Sequence, residues 1–82
     1  MRKSELLKNL KDYIGKTAKH KNSQVTATAI YFIFKQNSVS VDNRRTYVSV
    51  LKEIKKYLSE DFGWSMVEIH SCFCQLNNLL KY

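Results

Sequence analysis

The feature that most limits the fold of this chain is its scarcity of residues that interrupt helices. Among 82 residues there is no proline, and the only glycines are Gly15 and Gly63. Both residue types end helices or form turns, so a chain with few of them favours helices joined by short links. Hydrophobic residues make up 44% of the chain, which indicates a folded core rather than a disordered basic tail. The sequence predicts one all-α domain over residues 1–82, a small four-helix bundle of the helix-turn-helix-like kind.

The outer two predicted helices have recognisable starting signals. The first begins with Ser4 as its N-cap and ends at Gly15 or a few residues later, where a polar, basic link follows. The last begins at a capping box, in which Ser65 and Glu68 satisfy each other's backbone N–H groups. Its apolar stripe is wide enough to form a homodimer or to contact a partner protein, through Met66, Ile69, Phe73, Leu76 and Leu80.

The segment that follows the first link has two interpretations. Ser23 as N-cap and Asn37 as a left-handed terminator favour a helix over residues 24–36. The same segment is rich in β-branched and aromatic residues, and a hairpin at about 25–41 would give an α+β fold instead. We favour the helix, because the turn at Gln36 and Asn37 lacks the glycine that a two-residue hairpin prefers.

Positive charge is concentrated in two blocks of the chain. Residues 1–21 have a surplus of five cations and residues 44–56 a surplus of four, out of a net charge of +7. The second block falls in the third predicted helix, residues 42–61, whose core side is predicted by the spacing of Tyr47, Leu51, Ile54 and Leu58. The cations occupy the opposite side, and such a surface suits an acidic partner, most commonly nucleic acid.

The start of the third helix strengthens that interpretation. A helix N-terminus carries partial positive charge, so Arg44 and Arg45 are unfavourable there unless an anion binds. With Asn43 they are candidates for base contact, as at the first residues of recognition helices, while the lysines are candidates for phosphate contact. The candidate nucleic-acid-binding residues are Asn43, Arg44, Arg45, Ser49, Lys52, Lys55 and Lys56.

These features predict a small regulatory or accessory protein, for example in transcription, that binds nucleic acid, with DNA favoured over RNA. The alternative is a bundle that binds proteins as an inhibitor, immunity protein or adaptor, with no nucleic-acid role. Its basic surface would then meet an acidic protein or serve solubility alone. A weaker alternative is attachment of the first helix to an anionic membrane surface.

Other function classes lack support in the sequence. There is no glycine-rich phosphate loop and no recognisable catalytic constellation, so we expect no enzyme and no cofactor. His70, Cys72 and Cys74 do not share one face of a helix, so no metal site is predicted. The start of the chain does not resemble a signal peptide, and no apolar run is long enough to span a bilayer, so we expect a cytoplasmic protein.

Overall fold

The computed structural model describes residues 3–39 and 44–81, and this part of the chain forms four α-helices and no strand. The helices are α1 (Lys3–Ala18), α2 (Ser23–Gln36), α3 (Arg44–Phe62) and α4 (Met66–Lys81). The predicted all-α bundle is therefore confirmed. The hairpin alternative at about 25–41 is wrong for the described part of that segment, because residues 25–36 lie in one uninterrupted helix.

The ends of α2 differ in detail from the prediction. Asn22, not Ser23, is the N-cap, and its Oδ1 accepts a hydrogen bond from the Val25 backbone N–H at 3.0 Å. At the other end Asn37 keeps a negative φ of −106°, and Ser38 takes the left-handed conformation with a φ of 57°. The cap satisfies an N–H group that would otherwise lack a partner, which favours a helix in a segment rich in strand-forming residues.

Burial explains why α2 remains helical despite its composition. It packs against both α1 and α4, and its core side consists of Thr26, Ala27, Ala29, Ile30, Ile33 and Phe34. Thr26 is fully buried, and its hydroxyl lies 3.1 Å from the hydroxyl of Thr17 on α1. Tertiary packing of this kind commonly overrides the weak strand preference of single residues.

Helices α1 and α3 approach each other closely at Gly15. Gly15 lies inside α1 and does not end it, and α1 already includes Ser4, the predicted N-cap. A Cβ atom on Gly15 would lie 3.2 Å from the Tyr57 hydroxyl oxygen. That hydroxyl donates a hydrogen bond to the Lys11 carbonyl at 3.2 Å. The glycine therefore lies at a tight contact between two helices and does not terminate α1.

The connection between α3 and α4 is held by one buried tryptophan. The Trp64 side chain is 3% exposed, and its Nε1–H donates to the Ala18 carbonyl at the end of α1, at 2.9 Å. The capping box that follows is confirmed: the Ser65 N–H donates to a Glu68 carboxylate oxygen at 2.9 Å, and the Glu68 N–H donates to Ser65 Oγ at 3.3 Å. The bond from the Ser65 backbone N–H lowers the pKa of the Glu68 carboxyl group, and hydrogen bonding by the Ser65 side chain lowers it further.

Helix α3, which contains the second basic block, packs mainly against α1 and α4. Helices α2 and α3 do not pack closely along their length, although the Phe34 and Tyr47 rings meet edge to face at 6.1 Å between centroids. The described residues thus show a four-helix bundle in which α3 packs on α1 and α4 rather than on the helix before it. The finer similarity to a helix-turn-helix stays a prediction.

Candidate nucleic-acid interface

The core side of α3 is set by residues four apart. Val50, Ile54 and Leu58 are buried, whereas Tyr47 and Leu51 are half-buried. The predicted stripe was correct at Ile54 and Leu58 and missed Val50. Its i, i+4, i+8 spacing was already present in the sequence, but several apolar residues competed for the same face.

The outward side of α3 presents the predicted cations to solvent. All five basic candidates are exposed, namely Arg44, Arg45, Lys52, Lys55 and Lys56. Ser49 is half-buried. Arg45, Lys52 and Lys56 lie opposite the buried stripe, since 100° per residue places them about half a turn away from it. Arg45 and Lys56 are eleven residues apart, or about 16 Å along the axis.

A shallow depression lies at the beginning of this face. It is lined by Arg44, Arg45, Val48, Ser49 and Lys52. Val48 is 45% exposed and is the one lining residue that sequence reasoning missed, because valine in an amphipathic helix is ordinarily assigned to the core. An apolar surface between cations can contact a sugar or a thymine methyl group.

The first turn of α3 contains no acidic residue to balance its arginines. Cations at this end of a helix are unfavourable by roughly 0.3–1 kcal/mol each when they are exposed. The arrangement is therefore poor for the isolated helix and suitable for a bound anion. Asn43, the third candidate for base contact, lies outside the described residues.

Carboxylates lie near the cations of α3 and at the contact between α1 and α3. Glu53 is the only acidic residue from 44 to 56, and it is half-buried on the flank of α3. At the contact between α1 and α3, burial raises the pKa of Tyr57, and the charges of Asp61 and Asp12 raise it further. The Lys11 ammonium lies 5.4 Å from the Tyr57 ring centroid. Asp12 and Asp61 thus lie near Tyr57 at the same contact as Lys11.

The apolar stripe of α4 is used mostly within the bundle. Ile69 and Leu76 are buried, and Phe73 and Leu80 are half-buried against the same core. Met66 is the exception, with 64% of its surface exposed. The predicted partner face is therefore covered by the chain itself over most of its length, since α2 and, to a smaller extent, α3 pack on it.

An exposed apolar groove that the sequence did not reveal runs between α1 and α2. Its volume is about 540 Å³, and its exposed apolar side chains are Tyr13, Val25 and Phe32. Phe32 is 52% exposed although α2 is apolar on nearly every side. A helix that is apolar on nearly every side would suit a fully covered position, but the two flanking helices leave one side of α2 open.

The two cysteines have opposite environments. Cys72 is buried, and burial raises the pKa of its thiol to about 12. Cys74 is exposed, and its Sγ lies 3.4 Å from Nε2 of His70, one helical turn earlier. In the described residues no group of three or more histidine, cysteine and acidic side chains is arranged to hold a metal ion.

Fold and site together define a small all-α bundle that displays five exposed cations on α3. The chain matches no family model, and neither the curated proteins nor the solved structures compared with it include a match. None of the described helices combines the length and apolar character that crossing a membrane requires.

Proposed function

We propose that this protein binds nucleic acid non-covalently through the outward face of α3. The observation that carries the proposal is the display of five exposed cations on a helix whose opposite side is anchored in the core. Lys52, Lys55 and Lys56 contact phosphates, and the arginines at the helix start contact phosphates or bases. The protein would act as a small regulator or accessory factor, in transcription among other settings.

Duplex DNA suits this face better than duplex RNA. The major groove of B-DNA admits an α-helix, whereas the deep, narrow major groove of an RNA helix does not. A basic segment about 16 Å long spans several phosphates along a groove. If about four phosphates are engaged, the logarithm of affinity should fall with the logarithm of salt concentration with a slope of roughly −3 to −4.

The test is fluorescence anisotropy with a labelled DNA duplex, the matching RNA duplex and a single strand, each over a series of salt concentrations. The decisive variant is Lys52→Glu/Lys56→Glu, which should weaken binding by about tenfold or more per lysine, or 1.4 kcal/mol for each tenfold. Both side chains are exposed, so its thermal unfolding should match that of the unaltered protein.

The matched control is Lys35→Glu/Lys81→Glu, which changes net charge equally at exposed sites on α2 and α4. It should retain most of the affinity, because only the long-range attraction is reduced. Equal losses in the two double variants would show that net charge, not the α3 face, determines binding. Absence of binding at low salt would refute a nucleic-acid role.

A protein partner is the second candidate, and the α1–α2 groove is the observation that favours it. Exposed aromatic and aliphatic side chains between two helices can receive the apolar face of an amphipathic helix from another protein. Lys16 and Asp12 also line this groove, so the partner helix would carry charges flanking its apolar stripe. Phe32→Glu should abolish such binding and leave the affinity for DNA unchanged.

A further inference from the structure

We propose that His70 and Cys74 form half of a zinc site, which a second copy of this chain completes with the same two residues. The inference concerns α4 and is independent of nucleic-acid binding by α3. Its basis is the pair of ligand atoms on the exposed side of α4, with Cys74 Sγ 3.4 Å from His70 Nε2. Residues four apart on a helix lie on one face, which is the spacing that lets two side chains bind one metal ion.

The distance between the two atoms agrees with tetrahedral zinc. With a Zn–S bond of about 2.3 Å, a Zn–N bond of about 2.05 Å and an angle of roughly 109° between them, the ligand atoms lie roughly 3.5 Å apart. The observed 3.4 Å differs little from this value. Both side chains can therefore bind one ion with little rearrangement, which reduces the entropic cost of forming the site.

The chain by itself supplies too few ligands for a structural site. In the described residues no third histidine, cysteine or acidic side chain joins the pair. Cys72, two residues away, is buried on the opposite side of α4. Structural zinc takes four protein ligands, and a two-fold axis through the ion would supply two from each copy, a Cys₂His₂ set.

The surface beside the pair suits contact between two copies. Met66 and Val67, four and three residues before His70, are 64% and 78% exposed. These apolar side chains would meet their counterparts across the axis and lose contact with water. Two copies that each carry a charge of +7 repel each other, so we expect the dimer to form only when the ion is bound.

Protons and charges balance at the proposed site. Each Cys74 thiol releases one proton to solvent and binds as a thiolate, while each His70 binds as neutral imidazole through Nε2. Two thiolates neutralise Zn²⁺, so the site adds no net charge to the dimer. Added salt should screen repulsion between the copies and favour zinc-dependent dimerisation, whereas it weakens binding to DNA.

The experiment is a titration of the full chain with zinc, without nucleic acid and with a non-thiol reductant, followed by light scattering after size exclusion. We expect the 9.7 kDa mass to double at one zinc per two chains and to return to the monomer value with EDTA. Cobalt(II), as a spectroscopic substitute, should show tetrahedral d–d bands and a thiolate charge-transfer band at the same ratio.

Matched variants identify the ligands. Cys74→Ser and His70→Gln should each abolish dimerisation and the cobalt bands, and circular dichroism should stay unchanged because both residues are exposed. His20→Gln, at the other histidine, should behave as the unaltered protein. Zinc bound by a monomer at one ion per chain would overturn the proposal. A dimer that persists in EDTA, or that survives in Cys74→Ser, would overturn it as well.

Discussion

Helices α2 and α3 differ in how much of their surface is buried. Helix α2 contributes mainly to the core, whereas α3 mainly exposes charged side chains to solvent. Only one residue of α2 is charged, and six of its side chains are buried between α1 and α4. Eight residues of α3 are charged and three side chains are buried, so most of its surface faces water. Asn22 caps the start of α2, whereas two arginines at the start of α3 oppose its dipole. Residues of α2 should therefore determine folding, and outward residues of α3 should determine binding.

The sharpest test of the role of α2 compares two phenylalanines that lie two residues apart. Phe34→Ala empties a fully buried site and should lower the free energy of unfolding by about 3–5 kcal/mol. Phe32→Ala removes the same atoms from a side chain that is 52% exposed, and should cost about 1 kcal/mol or less. Urea denaturation measures both. Similar losses in the two variants would contradict the described packing of α2.

The start of α2 should contribute less than its core. Asn22→Ala removes the oxygen that accepts from the Val25 N–H, and should lower the free energy of unfolding by about 0.5–2 kcal/mol. Asn22→Ser, which keeps a capping oxygen, should restore most of this stability. The measurement is thermal or urea denaturation of the three proteins side by side. If Asn22→Ala has the same free energy of unfolding as the unaltered protein, packing alone stabilises the start of α2.

The start of α3 should respond in the opposite direction. Arg44→Gln/Arg45→Gln removes two cations from a first turn that has no acid, and should raise the free energy of unfolding by about 0.3–1 kcal/mol for each residue. The same variant should bind DNA more weakly. A gain in stability with lost affinity would identify a helix start suited to an anion. Unchanged affinity for DNA would show that the two arginines do not belong to the proposed interface.

The smallest expected effect concerns the contact that positions α3 on α1. Gly15→Ala gains about 1 kcal/mol of helix propensity. However, the added methyl carbon would lie 3.2 Å from the Tyr57 hydroxyl oxygen and would displace it. We expect these effects to cancel to within about 0.5 kcal/mol. In a Tyr57→Phe background, which lacks the hydroxyl, the same change should stabilise the protein by nearly the full amount. Equal effects in the two backgrounds would mean that the hydroxyl imposes no constraint.

Much of the fold was predictable because local signals agreed with one another. The scarcity of breakers and the capping box at Ser65 and Glu68 predicted helices that the structure confirms. For α2 the local signals disagreed, and tertiary burial favoured the helix. Gly15 was ambiguous for a different reason, since its neighbour Tyr57 comes from a helix more than forty residues further along the chain. Glycine is compatible with both termination and close approach, so only the packing distinguishes them.

The exposed cations of the candidate site were predictable from the sequence, as was the helix that contains them. Exposure of the cations on α3 follows from periodicity, because charged side chains opposite an apolar stripe face water. The exposed Val48 and Phe32 were not predictable, since an apolar side chain is exposed only where no neighbouring helix covers it. Whether an apolar side chain is covered depends on how the helices cross, and the periodicity of one helix does not specify that crossing.

The sequence by itself determined that the chain is helical, that its core is apolar and that its positive charge falls in two blocks, one of them on α3, because these properties depend on residue type and spacing within one element. The tertiary structure decided which apolar residues are covered, how closely α1 approaches α3 and where Cys74 stands relative to the bundle. Cys72 and Cys74 show the difference most plainly: their spacing predicts opposite directions, but only the placement of neighbouring helices decided that one is buried and the other exposed. The physical reason is that burial is a property of the whole assembly of helices and not of any single helix.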